Sequence, residues 1–421
     1  MSDIIILKWS LQKKFLFLFI LSYTFFYIFP FPFDAFPQLG FIFNHYEKLN
    51  DAFILFIGKH ILHVKDLQLL IFSDSGDTTF DFVRLFIFLF LSIFTSVGIL
   101  LIDRKRNNYK KLQNYLFIYI RYCIGFYMLV YGFDKVFKSH FPFPNLEKLQ
   151  QPIGESTPQG LLWAFMGYST TYTVYLGIIE VLSGFLLLFR RTTALGALLV
   201  LLIMINVTII NFSYDVPVKL FALHLVAYAI LLLYPFFNSI FSFFILQKEV
   251  KLPQQTGIIF PKFIRKYPKI IKAVIIVSFT LLFINFSITK MNTNGDNAPK
   301  PILYGIYKSI SLDLKHKQNE KSAIFSSSIS EIIFDRKNTI IKIDGRNFYF
   351  DTKVDSLAKI INFKSNSDTS ITNQLHYELI EDQLTLIGND SLKMNFRKTD
   401  LNSLPLINRG FHWVVEYPLN N

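Results

Sequence analysis

Residues 114–133, NYLFIYIRYCIGFYMLVYGF, and residues 171–189, TYTVYLGIIEVLSGFLLLF, decide the class of this fold. Each is apolar over a length that, at about 1.5 Å of rise per residue, takes one helix across a hydrocarbon layer of about 30 Å. Yet Arg121 sits inside the first, Glu180 inside the second, and His224 inside a third apolar stretch nearby. A charge at that depth costs about 3 kcal/mol on insertion scales, so these side chains need partners, water or a function. The run from 114 to 236 therefore reads as part of a polytopic membrane protein with a polar interior.

Working outward, seven stretches are long enough to span: residues near 13–33, 83–102, 114–133, 171–189, 193–211, 217–236 and 270–288. The first follows Lys13 and Lys14 and ends at Pro30 and Pro32 without a small-residue cleavage site, which marks a retained helix rather than a signal peptide. Composition agrees, with 52% hydrophobic residues, 17% charged residues and 48 Phe, a balance suited to a core that faces lipid. The formal net charge of +13 gathers in short stretches between the spans, so it reports topology and not nucleic-acid binding. The single Cys123 provides no CxxC pair, which excludes dithiol-disulfide exchange within the chain.

Four basic clusters set an expected orientation. Lys13 and Lys14 precede the first span; Arg104, Lys105, Arg106, Lys110 and Lys111 follow the second; Arg190 and Arg191 follow the fourth; Lys262, Arg265, Lys266 and Lys269 precede the seventh. All share one side only if the N-terminus is cytoplasmic and the C-terminus lies outside. The loops 34–82 and 134–170, the turn Tyr214-Asp215-Val216-Pro217 and everything after about 289 then share the extracytoplasmic side. In the first loop, Phe53 to Leu62 suits a helix lying in the interface. In the second, Thr157-Pro158 is a cap followed by a first-turn proline, starting a short helix that carries Trp163.

After the last span the composition changes. Thr339 to Ile343, Asn347 to Phe350, His376 to Ile380 and Leu384 to Ile387 are short, β-branched and aromatic, with turn signals at Asp344-Gly345 and Gly388-Asn389-Asp390. The expectation is an antiparallel β domain, a small barrel or sandwich. The domains read as an N-terminal helix pair (1–112), a four-helix membrane unit (113–247), a linker with the seventh helix (248–288) and the β domain (289–421).

The third to sixth spans resemble the DoxX family of four-helix membrane proteins. The resemblance is carried by Arg121-Tyr122, the turn Gly132-Phe133-Asp134-Lys135, Glu180 within Gly177-Ile178-Ile179-Glu180-Val181-Leu182-Ser183-Gly184, and the basic turn Arg190-Arg191-Thr192-Thr193-Ala194. The loop from Gln151 to Trp163, the turn from Asn211 to Lys219 and the tail from Asn408 to Pro418 are similar to a longer bacterial subgroup with a C-terminal extracytoplasmic domain. The resemblance implies little about activity: some members are subunits of quinone-linked membrane oxidoreductases, and many have no assigned chemistry.

Candidate residues follow from depth. Arg121 lies about 10 Å above one end of its helix and Glu180 about 15 Å above Arg191, so the two can form an ion pair, either to anchor a quinone head group or only to neutralise each other. Asn206, Asn211, Lys219 and His224 fall near the outer boundary with Asp215 capping the sixth helix, a polar pocket or simply interhelical hydrogen bonds. Arg121, Glu180, Asn206 and His224 are the candidate ligand-binding residues, with Lys135, Glu155, Asp215 and Lys219 as outer-face polar groups. His60 and His63 have helical spacing but no third ligand, and Asp74-Ser75-Gly76-Asp77 lacks the later bidentate Glu of a calcium loop, so no metal is expected. The turn reads instead as a cap for the second span.

No phosphate loop, catalytic triad or haem-attachment motif is present, and whether the chain is an enzyme stays open. Two functions stand side by side. One is a quinone- or lipid-binding subunit that supports membrane redox chemistry with an oxidoreductase partner. The other is a non-catalytic scaffold presenting the β domain to an envelope protein or lipid. The tail, with Phe411, Trp413, Val414, Val415 and Tyr417, is expected to be ordered, as a closing strand of the β domain or docked on the outer loops.

Overall fold

The computed structural model describes residues 8–70, 75–253, 267–314, 329–367, 372–388 and 392–416. Lys262, Arg265 and Lys266 of the fourth basic cluster, Asp74, the Asn389-Asp390 turn and Tyr417-Pro418 lie outside the described residues. The chain forms two compact units, residues 1–142 with 157–291 and residues 143–156 with 292–421.

The first unit is helical. Its elements are α1 (Leu11–Ile28), α2 (Gly40–His60), α3 (Thr79–Ile102), α4 (Lys110–Val136), α6 (Pro158–Tyr168), α7 (Thr170–Leu188), α8 (Thr193–Ser213), α9 (Lys219–Leu233), α10 (Phe237–Phe244) and α11 (Pro268–Asn294). Among the described residues, seven stretches are long and apolar enough to cross a membrane, and each overlaps one of the seven read from hydropathy. The protein is a multi-pass membrane protein.

Local chemistry sets the helix starts. The Ser10 hydroxyl accepts from the Lys13 amide, and Thr78 and Asp81 form a reciprocal capping box at the start of α3. Thr157 accepts from Gly160 N at 3.0 Å and Pro158 opens α6, as its sequence predicts. The apolar segment expected to lie in the interface is the end of α2, a longer helix that begins at Gly40 and carries Glu47, Lys48 and Asp51 before turning apolar. The last turns of α1 and α4 share one side of this unit with the starts of α3 and α9. That side is called the loop side below, and the opposite one the basic side.

The second unit is a closed barrel of eight antiparallel strands in simple meander order: β1 (Gly305–Leu314), β2 (Ile329–Phe334), β3 (Thr339–Ile343), β4 (Arg346–Asp355), β5 (Ile360–Ser365), β6 (Thr372–Ile380), β7 (Gln383–Ile387) and β8 (Leu392–Lys398). The four strands read from sequence fall on β3, β4, β6 and β7. Asp344 and Gly345 both take positive φ, 47° and 77°, in the two-residue turn that joins β3 to β4. Alternating residues point inward and fill the interior, with Tyr307, Phe334, Phe350, Phe363 and Phe396 all buried.

The barrel unit is discontinuous in sequence, where the expectation was one span from 289. In the segment 143–156, helix α5 (Leu146–Gln150) places Leu146, 1% exposed, against Ile306, Ile333 and Ile340. The Leu146 amide donates to Asp335 at 2.8 Å and the Tyr349 hydroxyl donates to Glu147 at 2.6 Å, which holds Tyr349 above its ordinary pKa.

The tail corrects an expectation. Strand β8 already pairs with β1 from Tyr307↔Lys398 to Leu314↔Leu392, so the barrel has no edge left for a further strand. Residues 399–416 instead form two short turns and an extended end in which Phe411 is 79% and Trp413 91% exposed.

Candidate functional site

Four glycines set the geometry of the membrane core. Helices α4 and α7 run antiparallel, with Gly125 against Gly184 and Gly132 against Gly177. A Cβ on Gly177 would lie 2.7 Å from the Gly132 carbonyl oxygen, and one on Gly184 would lie 2.7 Å from that of Gly125, so each position admits only glycine. Small residues let helix backbones approach this closely in lipid, and the approach locks the register of the pair.

That register determines which charges meet. Side chains on a helix lean toward its N-terminus, so in an antiparallel pair Lys135 leans back along α4 while Glu180 leans toward it along α7. Lys135 Nζ and Glu180 Oε1 form a buried ion pair at 2.5 Å. The expected pairing of Arg121 with Glu180 is not formed. Matching Gly125 to Gly184 puts Arg121 about level with Leu188, roughly 12 Å of helix rise from Glu180, and its side chain leans the wrong way. Depth counted from the helix ends does not place the two residues at one level, because α4 has 27 residues and α7 has 19 and their ends are not level.

Arg121, 2% exposed, instead donates to the Thr193 hydroxyl at 3.4 Å, and its guanidinium lies 5.1 Å from the Tyr122 ring centroid. Its Nε has no hydrogen-bond partner among the described residues, nor has Oε2 of Glu180.

On the loop side, Asp134 is the centre of a second buried network. It accepts from Ser139 at 2.9 Å, from Ser287 at 2.7 Å and from Lys290 at 2.9 Å, which ties α4 to α11. Lys138 donates to the Gly167 carbonyl. His140 follows, its ring packed edgewise on Phe141; burial lowers its pKa to about 3, and Lys135 and Lys290 push the same way. Asp134 belongs to the glycine-containing turn picked out in sequence, but its partners Ser287 and Lys290 lie about 150 residues away and carried no local signal.

The expected polar pocket around the sixth span divides. Asn206 is exposed on the outside of α8, Asn211 is buried, and Glu155 is exposed in the barrel unit. Asp215 does not cap α9. It sits at φ 52° after α8 and pairs with Lys219 at 2.8 Å, while the cap comes from Asp77, which accepts from the amides of Lys219 at 2.7 Å and Leu220 at 2.9 Å. The reason is geometric: the Gly76 amide donates to the Pro217 carbonyl, and this carries Asp77 onto the open end of α9. The Ser75–Asp77 turn thus caps the sixth span, and the second starts on Thr78.

His224 faces α1. Its ring stacks on Tyr27 with centroids 3.7 Å apart and planes within 9°, and Nε2 is 2.5 Å from the Tyr23 hydroxyl. Nδ1 lies 2.6 Å from the Leu220 carbonyl, which can only accept, so Nδ1 carries the proton and in the neutral ring Nε2 accepts from Tyr23.

Tyr27 is also the wall of a cavity of about 410 Å³ between α1, α2 and α3 on the loop side. Its inner wall is aromatic, with Phe31, Phe80, Tyr127 and Phe221, and its rim carries Asp34, Glu47, Asp51, Asp81 and Arg84. Arg84 is bonded to Asp81 at 2.8 Å. Burial raises the pKa of Glu47, and the neighbouring Asp34 and Asp51 carboxylates raise it further; burial likewise raises that of Asp51. Sequence reading missed this site because its residues come from five separate stretches with no motif among them. No group of three or more His, Cys, Asp or Glu that could hold a metal ion occurs among the described residues.

These features define a multi-pass membrane protein with a glycine-packed helix pair, a buried ionic core and an appended β-barrel. Residues 116–212 match the DoxX family model, and this part of the chain is a DoxX domain. Over 108 residues the chain is 33% identical to uncharacterized protein YwoB of Bacillus subtilis (strain 168); the alignment takes in 24% of this chain and 62% of that protein, less than two thirds of its length. No solved structure matches the chain. The match takes in the four glycines, Lys135 and Glu180, and it stops before His224 and leaves out α1 to α3 around the cavity.

Proposed function

We propose that the protein is a membrane-embedded binding subunit for an amphiphile, a lipid or a quinone, seated in the cavity beside Tyr27. The observation that carries this reading is the cavity itself, since a volume within the usual range for small ligands joins an aromatic wall to a polar rim. The stacked and hydrogen-bonded His224 supplies a fixed ring behind that wall. Binding a quinone in this place would support electron or proton transfer by a partner oxidoreductase. The test is extraction of bound lipid from purified full-length protein, together with thermal melting in the presence of a short-chain quinone. Co-purification of an amphiphile, or a melting temperature that rises with the quinone, is expected. Absence of any bound amphiphile in several detergents, with no thermal shift, overturns the reading.

For topology, we propose a cytoplasmic N-terminus and an extracytoplasmic barrel in the bacterial inner membrane, supported by Lys13, Lys14, Arg104, Arg106, Arg190, Arg191 and Lys269 at the basic side. A reporter active only outside the cytoplasm is expected to be active after Asn421 and silent near Lys251. The reverse result overturns the orientation.

A second reading, a scaffold that presents the barrel to an envelope partner, is favoured by the exposed Phe411 and Trp413 at its end. Replacing both with Ser is expected to leave barrel stability unchanged and to remove a crosslinked envelope protein if the scaffold reading holds. An unchanged crosslinking pattern counts against it.

A further inference from the structure

The cavity beside Tyr27 has a chemical sign. Its rim holds four carboxylates, Asp34, Glu47, Asp51 and Asp81, against one guanidinium, Arg84, and that guanidinium is already committed to Asp81. Asp34, Glu47 and Asp51 form no ion pair within 4.0 Å among the described residues. Glu47 and Asp51 are one helical turn apart on α2, so both face the same opening.

The walls have the second half of the recognition chemistry. Tyr27, Tyr46, Phe29 and Phe80 present rings to the cavity, and Phe29 and Tyr46 meet edge to face with centroids 5.1 Å apart. Aromatic faces attract a cation through the ring quadrupole, most strongly where water is thin, and they do so for methylated ammonium groups that cannot donate hydrogen bonds. Carboxylates placed beside such rings repel a phosphate or carboxylate head and attract an ammonium. A neutral quinone, whose carbonyls only accept hydrogen bonds, gains nothing from these carboxylates.

The position agrees with an amphiphile held at the membrane boundary. The cavity lies between the last turn of α1, the start of α3 and the helix α2 that connects them on the loop side. A head group at this level rests among the carboxylates. Its chain has the apolar flanks of α1 and α3, where Phe25, Phe82 and Phe86 are exposed, along which to lie.

We infer that the amphiphile taken by this cavity has a cationic, alkylammonium head. This rests on the amphiphile-binding reading above and specifies its ligand. The consequence is selectivity by head charge at constant chain length, because the apolar contacts are common to all amphiphiles and only the rim discriminates.

The experiment uses full-length protein in nanodiscs and three twelve-carbon probes, dodecyltrimethylammonium, dodecanol and dodecanoate, with binding followed by quenching of intrinsic fluorescence or by thermal shift. The expected result is at least tenfold tighter binding of dodecyltrimethylammonium than of the other two. The preference is expected to fall at least fivefold in the Glu47→Gln/Asp51→Asn double variant, with the variant melting no lower than the parent protein. Equal or tighter binding of dodecanol or dodecanoate, or a preference that the double variant leaves unmoved, overturns the cationic-head inference while amphiphile binding stands. Failure of all three probes to bind overturns both. If the double variant is unstable, Asp51→Asn alone is measured by the same ratio, with an expected fall of at least twofold and the same overturning result.

Discussion

The α4–α7 pair and the α1–α2–α3 corner solve the same problem, polar groups in a membrane helix bundle, in opposite ways. In the first, glycines at seven-residue spacing bring two backbones together, and Lys135 and Glu180 are paired and buried. In the second, aromatic rings together with Asp34, Glu47 and Asp51 line an open space. A packed, paired charge holds structure, whereas an accessible, unneutralised one can meet a ligand. The glycine-packed core carries the DoxX match, so the family likeness marks the scaffold, and the cavity lies outside it.

The comparison breaks most directly at a glycine. Gly177→Val places a branched side chain where even a Cβ meets backbone at 2.7 Å, and overpacking of this kind costs about 3 kcal/mol. Loss of folded protein from detergent extracts is expected, and a monodisperse Gly177→Val protein with parental melting would show that close approach is not what holds α4 on α7.

The ion pair comes next. Glu180→Leu strands the Lys135 ammonium and is expected to destabilise by about 3 to 5 kcal/mol, as breaking a buried pair does. Glu180→Gln keeps one accepting oxygen and should lose less. The double variant Lys135→Met/Glu180→Leu removes both charges and should recover most of the loss. Melting of the parent, Glu180→Leu, Lys135→Met and the double variant forms a cycle; equal losses in Glu180→Leu and the double variant would sink the pairing.

A smaller effect separates the two regions by pH. His140, beside the paired core, has a folded pKa of about 3, below the unfolded value of about 6.5, so the unfolded chain binds the extra proton between them. Stability should therefore fall as pH is lowered from about 6.5 toward 3, and His140→Phe should flatten that decline in melting temperature. An identical pH profile for both proteins would remove His140 from the account.

At the cavity rim the sign reverses and the effect is smallest. The folded pKa of Asp51 is raised, so its contribution is unfavourable once the unfolded carboxyl has ionised, and it vanishes well below that pH. Asp51→Asn should raise the melting temperature slightly near pH 7 and leave it unchanged near pH 3. A clear loss of stability at pH 7 would mean that Asp51 is structural and would erase the contrast with Glu180.

How much was legible in the sequence differs between these regions. All seven spans were, because hydropathy is a local sum over about twenty residues and each span satisfies it alone. The capping of α6 by Thr157 and the β3–β4 turn at Asp344-Gly345 were legible for the same reason. Strands β1, β2, β5 and β8 were not read: Lys308, Glu331, Lys364 and Lys393 interrupt their apolar runs, and what makes them strands is pairing with neighbours. Glu180 stood out as a buried charge, but its partner was misread, because spacing along one helix says nothing about the relative height of another.

The sequence by itself determined that this chain crosses the membrane repeatedly, carries charge within the bundle and ends in a β-rich unit, since composition and period act within each segment. Tertiary structure decided the rest. It matched Gly132 to Gly177 and so gave Glu180 to Lys135, brought Asp77 onto the amides of α9, recruited Leu146 to the barrel from far ahead of its first strand, and left an acidic, aromatic cavity between α1, α2 and α3. Each depends on the register of two segments distant in sequence, and register is a property of the contact between them that neither segment encodes alone.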